Sequence, residues 1–325
     1  MSAGTAPTPS NENVDHDDGM PRQIGDRLAG VEAIAALAHG FSLEATRPDV
    51  GDVAALAGIV PAGMKIYVSA VPTRAMNEVI DAAARLRRAG FEPVPHLAVR
   101  NFSGTTALDD FLARLSAEAQ VRRLLVIAGD RDPPVGTLRA ALEVIDGGPL
   151  KRHGLTEVGI AGYPDGHPRI AQQDLDRALV KISAAAATGL AIHIVTQFCF
   201  DATAIVRWIT RLRDFGIDQP VRIGLAGPTS LATLLRFAKR CGVRASAQGL
   251  VRQAGLVRQL FAMSTPDALL RELGQQRPQL GDVATHFFTF GGLALTARWA
   301  AAVAEGRVTL EANGGFQVEP PRQSR

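Results

Sequence analysis

Glu44 stands inside the apolar run Phe41-Ser42-Leu43-Glu44-Ala45, where a carboxylate is costly to desolvate unless it is paired or used. Its natural chemistry there is general acid or base work. Other groups able to polarise a ligand or move a proton stand at the ends of later apolar segments: His96, Gly129-Asp130, Tyr163 followed by His167, and Gln197. An isolated Asp or His after a strand is more often a helix cap or a satisfied loop residue, so the argument for a site rests on recurrence at five segment ends. Gly129-Asp130, with Pro133-Pro134 and Gly136 behind it, reads first as a turn; it also offers a ligand close backbone and a carboxylate. Ser103-Gly104-Thr105-Thr106 reads as a helix cap. The chain has no P-loop, so nothing in it supports nucleotide hydrolysis.

The elements that must carry these groups repeat along the chain. Eight short apolar segments rich in β-branched residues fall at 40–45, 65–71, 92–99, 123–129, 157–163, 190–198, 221–227 and 283–290. Between them, stretches such as 73–89, 107–118, 135–145, 172–187, 202–215 and 230–241 place apolar residues at i, i+3, i+4 and i+7, the spacing of helices with one buried face. Near-continuous apolar strands alternating with helices predict a parallel sheet covered on both faces, and eight such units predict a closed (β/α)8 barrel of α/β class with its chemistry at the C-terminal mouth. An open doubly wound sheet would carry G-x-G-x-x-G after its first strand, and none follows Ala45. The roughly 55 residues between the seventh and eighth segments, with helical spacing near 256–262 and 266–273, predict an extra helix.

With 325 residues, 46% hydrophobic and 21% charged, the chain can bury one large core. Residues 1–22 lack large apolar side chains and predict a disordered tail, 23–318 the barrel, and 319–325 a flexible end. The run from Leu190 to Val195 is far short of the roughly 20 apolar residues that span a bilayer, and the first twenty residues hold no apolar signal core, so the expected location is the cytoplasm, without a membrane partner. Cys199 and Cys241 alone make neither a metal site nor a disulfide framework. A net charge of +3, spread along helices, gives no reason to expect a nucleic-acid partner. Composition and spacing thus stop at a barrel enzyme for a small molecule.

The same segment ends resemble the methylenetetrahydrofolate reductase family. Pro95-His96-Leu97 resembles its third-strand motif, Ala128-Gly129-Asp130 its R-G-D, Tyr163-Pro164-Asp165-Gly166-His167-Pro168 its Y-P-E-x-H-P, and Thr196-Gln197-Phe198-Cys199-Phe200-Asp201 its T-Q-F-x-F-D. His286-Phe287-Phe288-Thr289 resembles its last-strand H-F-Y-T, and Phe41-Ser42-Leu43-Glu44 lines up with its first-strand F-E-F-F-P-P. The resemblance implies a barrel that binds FAD, takes a hydride from NADH or NADPH, and passes it to methylenetetrahydrofolate in one-carbon metabolism and methionine biosynthesis. Glu44 then becomes the general acid that opens the folate ring, with a raised pKa suited to donating near neutrality. Asp130 would tune the flavin and orient folate, and Gln197 would bond the pterin or the nicotinamide in turn. Phe237 matches a phenylalanine that packs on the bound ligand. The implied FAD contacts are His96, Gly129, Asp130, Tyr163, His167, Asp174 and Lys181. The resemblance also implies a homo-oligomer.

Departures from the family are equally specific. Ala45-Thr46-Arg47-Pro48 replaces an aromatic and a first proline, and Val71, Ala128 and Val180 replace a threonine and two arginines counted among the FAD contacts. Thr233 and Gly292 stand where the family has folate-side glutamine and arginine. These changes predict a divergent branch, with an oxidative direction as one expectation. Two alternatives are a flavin-free folate methyltransferase barrel and a non-catalytic partner subunit.

Overall fold

The computed structural model describes residues 19–72, 74–146, 148–185, 189–241 and 263–320, without the side chains of 19–24, 181–185 and 240. Eight strands close into a barrel: β1 (Ser42–Ala45), β2 (Lys65–Val68), β3 (Glu92–Ala98), β4 (Arg123–Ile127), β5 (Glu157–Gly162), β6 (Ala191–Thr196), β7 (Val221–Ala226) and β8 (Val283–Phe288). All eight pairings are parallel, and β8 closes the ring on β1 with Glu44 opposite Phe288. The expected fold is the observed one.

Alternation along the strands explains the closure. Outward residues such as Leu124, Val126, Ile192 and Ile194 join the large core beneath the helices. Inward residues Val94, Leu125 and Val195 form a separate cluster around Tyr67 in the lumen. The helices are α1 (Gly19–Ala38), α2 (Val50–Leu56), α3 (Met76–Arg88), α4 (Thr105–Ala119), α5 (Ala141–Asp146), α6 (Pro149–Arg152), α7 (Gln172–Ala185), α8 (Ala202–Asp214), α9 (Leu231–Cys241), α10 (Asp267–Gln276) and α11 (Leu293–Ala304). Asp201 caps α8 by accepting from Ala204 N–H at 3.1 Å, and Asp49 with Asp52 forms a capping box on α2.

Two differences from the sequence reading are physical. The chain is helical from Gly19, inside the expected tail, because α1 buries Ile34, Leu37 and Ala38 and crosses α10 closely enough that a Cβ at Gly274 would lie 3.2 Å from the Ala33 backbone. The expected tail up to residue 18 and the end from 321 lie outside the described residues. The extra helix between β7 and β8 is α10, whereas the predicted helical stretch 256–262 lies outside the described residues. A short antiparallel hairpin, Val308–Leu310 with Phe316–Val318, follows α11 and is fastened where Trp299 stacks on Phe316 at 5.9 Å.

The lumen is filled in polar layers. At the N-terminal end Glu157 receives Arg123 at 2.5 Å and Lys65 at 3.4 Å, while Arg123 also meets Glu92 at 3.1 Å. Above this layer Tyr67 crosses from β2 toward β6, its hydroxyl 2.7 Å from His193 Nε2, and His193 Nδ1 lies 3.0 Å from Glu157. Tyr67 presents an edge-on ring contact to His286 at 4.6 Å, so it forms the floor of the mouth. No helix among the described residues is long and apolar enough to cross a membrane.

Candidate active site

β1 carries Glu44 to the C-terminal mouth, and three neighbouring strands surround its carboxyl. Ser69, just past β2, donates its hydroxyl to Glu44 Oε1 at 2.6 Å. His96 on β3 places Nε2 3.3 Å from Oε2, and His286 on β8 places its own Nε2 3.4 Å from the same oxygen. The other ring nitrogen of His286 lies 2.8 Å from Ser42 Oγ. If His286 Nε2–H points at the carboxylate, Nδ1 accepts from the Ser42 hydroxyl, a tautomer assigned from the network. Thr289 Oγ1 donates to the Glu44 carbonyl at 2.7 Å and fixes the backbone. His96 Nε2 makes no aligned hydrogen bond, although His96 is 7% exposed.

These neighbours correct the raised acidity constant expected for Glu44. Burial does push its carboxyl up, but the His96 charge, the hydrogen bond from His286 and the His286 charge outweigh it and hold Glu44 well below the usual carboxylate range. Burial pushes His286 down, toward its neutral form. The resting group is therefore a carboxylate.

A second group gathers over β4 and β5. Gly129 turns at φ +89°, and a Cβ there would lie 3.0 Å from the Ala98 side chain, so the turn favours glycine. Asp130 follows, largely exposed, with Arg169 3.5 Å away. Tyr163 and His167 meet edge to face at 5.0 Å. Burial, with a smaller push from the Asp130 charge, drives the Tyr163 hydroxyl up to about 12. His167 is lowered by burial and then by the Arg169 charge, with Arg100 adding to the effect, so two guanidinium groups act on one imidazole. Gln197 spends its Oε1 on Phe198 N–H at 3.1 Å and lines a cleft with Tyr163, Asp165 and Cys241. Among the described residues its amide NH2 makes no hydrogen bond.

Phe237 on α9 packs on Phe290 at 4.7 Å, and Phe198, Phe200, Phe288 and Phe290 continue the wall toward His286, which meets Phe288 at 5.1 Å. Phe237 thus belongs to the mouth. Asp174 does not join the other groups; it pairs with Arg177 at 2.7 Å in the first turn of α7. Lys181 lies on α7 with its side chain outside the described residues. Sequence reasoning missed Ser69, His286 and Tyr67 as site residues. His286 had a usable signal, since it interrupts an apolar strand as Glu44 does. Among the described residues, no group of three His, Cys, Asp or Glu side chains could hold a metal ion.

Fold and site together define a (β/α)8 barrel with a carboxylate–histidine cluster at the ligand-bearing mouth. Within that class, the model of the methylenetetrahydrofolate reductase family matches residues 56–254, more than half of the sequence, and the chain belongs to that family. Curated relatives include methylenetetrahydrofolate reductase 2 of Saccharomyces cerevisiae, 27% identical over 157 residues, which are 46% of this chain and 26% of that protein. The 5,10-methylenetetrahydrofolate reductase of Salmonella typhimurium is 29% identical over 164 residues, 48% of this chain and 51% of the relative. The match thus spans about half the length of the bacterial relative and about a quarter of the yeast protein. Among solved structures, a Clostridium thermocellum protein described as binding two copies of 5-methyl-5,6,7,8-tetrahydrofolic acid shares the fold, with TM-score 0.53, 12% identity, and coverage of 84% of this chain and 96% of that one. Glu44 and His286 both fall outside the stretch matched by the family model; it is the barrel closure that brings them to His96.

Proposed function

We propose that this chain is a flavin-dependent oxidoreductase that interconverts 5,10-methylenetetrahydrofolate and 5-methyltetrahydrofolate with NADH or NADPH. The observation that carries the reading is the Glu44 carboxyl, held at the barrel mouth by Ser69, His96 and His286. Family membership supports the substrate class. The residues present also suit FAD: His96 has a buried nitrogen without an aligned hydrogen bond, Gly129 keeps a bare backbone turn, and Arg100 and Arg169 bring guanidinium charge suited to a diphosphate beside His167. His96, Gly129, Asp130, Tyr163 and His167 would hold the cofactor, which when bound would supply hydride transfer between nicotinamide and the one-carbon bridge.

The chain's own task is the proton. Once protonated, Glu44 delivers its proton to the nitrogen that leaves as the folate ring opens, exposing an iminium carbon, and Ser69, His96 and His286 steady the carboxylate that remains. In the oxidative direction the same carboxylate takes that proton back. Gln197 and Phe237 hold the ligand over the mouth, Gln197 through its free amide and Phe237 through its ring. Tyr67 and the layers below it leave the lumen filled, which keeps water from reaching the cluster from beneath.

The test is the visible spectrum of the purified protein with added FAD, before and after anaerobic NADH or NADPH. A bound-flavin band near about 450 nm that bleaches on addition supports the reading. A protein that takes up no flavin yet binds folate is a flavin-free folate enzyme instead.

A further inference from the structure

Beneath Glu44 the lumen carries a second line of polar groups that the proton step does not use. Tyr67 on β2 stands in register with Glu44 on β1, and its hydroxyl meets His193 Nε2 at 2.7 Å on β6, the opposite wall of the barrel. The imidazole fills space that β5 leaves for it: a Cβ at Gly159 would lie 2.7 Å from Nε2. On its other side His193 Nδ1 lies 3.0 Å from Glu157 Oε1, and Glu157 takes Arg123 at 2.5 Å and Lys65 at 3.4 Å. Tyr67 and His193 are 1% and 3% exposed, so water does not compete for their contact.

Charge fixes where each hydrogen points. Burial and then the Glu157 charge push the Tyr67 hydroxyl above its ordinary value, with Glu44 adding and Arg222 and Arg123 opposing, so it keeps its proton. Among the described residues its one hydrogen-bond partner is His193 Nε2, which therefore accepts. Burial pushes His193 down against the Glu157 charge, helped by Lys65 and Arg222, so the ring is neutral and its proton sits on Nδ1, on the side of the carboxylate. Tyr67 thus spends its donor away from the mouth and turns only its ring toward it. That ring meets both imidazoles beside Glu44, His286 at 4.6 Å and 70° and His96 at 6.4 Å and 79°. Among the described residues no other aromatic ring meets the two of them.

We propose that Tyr67 and His193 are positioning residues for the Glu44 carboxyl: their hydrogen bond ties the floor ring across the barrel, and the ring keeps His286 and His96 in place at Oε2. The proposal rests on Glu44 being the acid of the folate step. Both residues lie below the cluster and act only through the imidazoles. His96 and His286 approach Oε2 at 3.3 and 3.4 Å, at the long end of hydrogen-bond range, where a small tilt of either ring loses the contact. A floor ring pinned at its far end cannot swing and take them with it.

Three variants of the full chain loaded with FAD test this. Tyr67→Phe keeps the ring and removes the tie, His193→Leu removes the acceptor, and His193→Gln restores one, because its carbonyl can stand where Nε2 stood. In stopped-flow measurements across pH, the folate half-reaction is expected to slow by roughly tenfold in Tyr67→Phe and His193→Leu, the order for one hydrogen bond. Its Glu44 limb moves to higher pH in both, and His193→Gln brings rate and limb back toward the wild type. Flavin reduction by nicotinamide, which draws no proton from Glu44, stays unchanged and reports that the variants are folded. Where His193→Leu does not fold, Tyr67→Phe set against His193→Gln carries the comparison. Histidine ¹⁵N spectra of the wild type are expected to show His193 protonated at Nδ1; a proton on Nε2 overturns the tie. A Tyr67→Phe that melts lower yet keeps rate and limb makes the bond structural only, and so overturns the proposal while the folate reading stands. A wild type without a folate half-reaction overturns that reading, and this role with it.

Discussion

At the scale of single residues, Glu44 is a buried carboxylate whose acidity is set by its neighbours. Glu44→Gln is expected to keep flavin reduction by nicotinamide and to lose folate turnover by about a hundredfold or more, the usual range for a general acid; stopped-flow measurement of the two half-reactions separates them. His286→Gln is a sharper probe. The imidazole lowers Glu44 through a hydrogen bond and its charge, so without it burial weighs more and the carboxyl rises. The pH profile of the folate half-reaction then moves its Glu44 limb to higher pH, and an unmoved limb would show that His286 does not set the acidity. Glu44 itself was legible because a carboxylate in an apolar strand demands a reason. His286 and His193 were not, because a lone histidine in a strand is usually a satisfied core residue and their partners sit 242 and 126 residues away in the chain.

Elements were legible where burial on both faces left a run of apolar residues, as in Arg123-Leu124-Leu125-Val126-Ile127, and where helices had one clear face, as in α3 and α8. α11 escaped notice because Leu293-Ala294-Leu295 through Ala300-Ala301-Ala302 is apolar nearly all round, and the hairpin after it has strands of only three residues. The strands also stop earlier than the apolar runs, β2 at Val68 and β6 at Thr196, which frees Ser69 and Gln197 for the mouth. One helix end offers a test. Gln120 caps α4 in the left-handed region at φ 48°, a conformation that costs a non-glycine residue about 1 kcal/mol. Gln120→Gly should therefore raise the melting temperature by about 1–3 °C in a domain of this size. Scanning calorimetry reads it, and a lower melting point would mean that the Gln120 side chain matters more than its backbone.

For the whole molecule, the buried histidines and glutamates of the lumen push stability the same way with pH. His193 and His286 are lowered from 6.5 by burial, so below that value the unfolded chain binds protons that the folded one refuses. Glu44 and Glu157 are lowered from 4.5, so their contribution is complete above that value and falls away as pH drops toward their folded constants. Urea midpoints should accordingly fall as pH is taken from 7 to 5 by the histidines, and fall further below about 4.5 by the carboxylates. A flat midpoint between pH 7 and 5 would mean that neither histidine is buried neutral. The seam between β1 and β8 has one more consequence. Because Glu44 and His286 meet only where the last strand closes on the first, a chain still emerging from the ribosome has every pocket residue up to Phe237 and yet no assembled proton site. The carboxylate–histidine cluster is complete only with this hydrogen-bonded ladder of the barrel, and any loosening of that seam would take the cluster apart while most of the secondary structure remains.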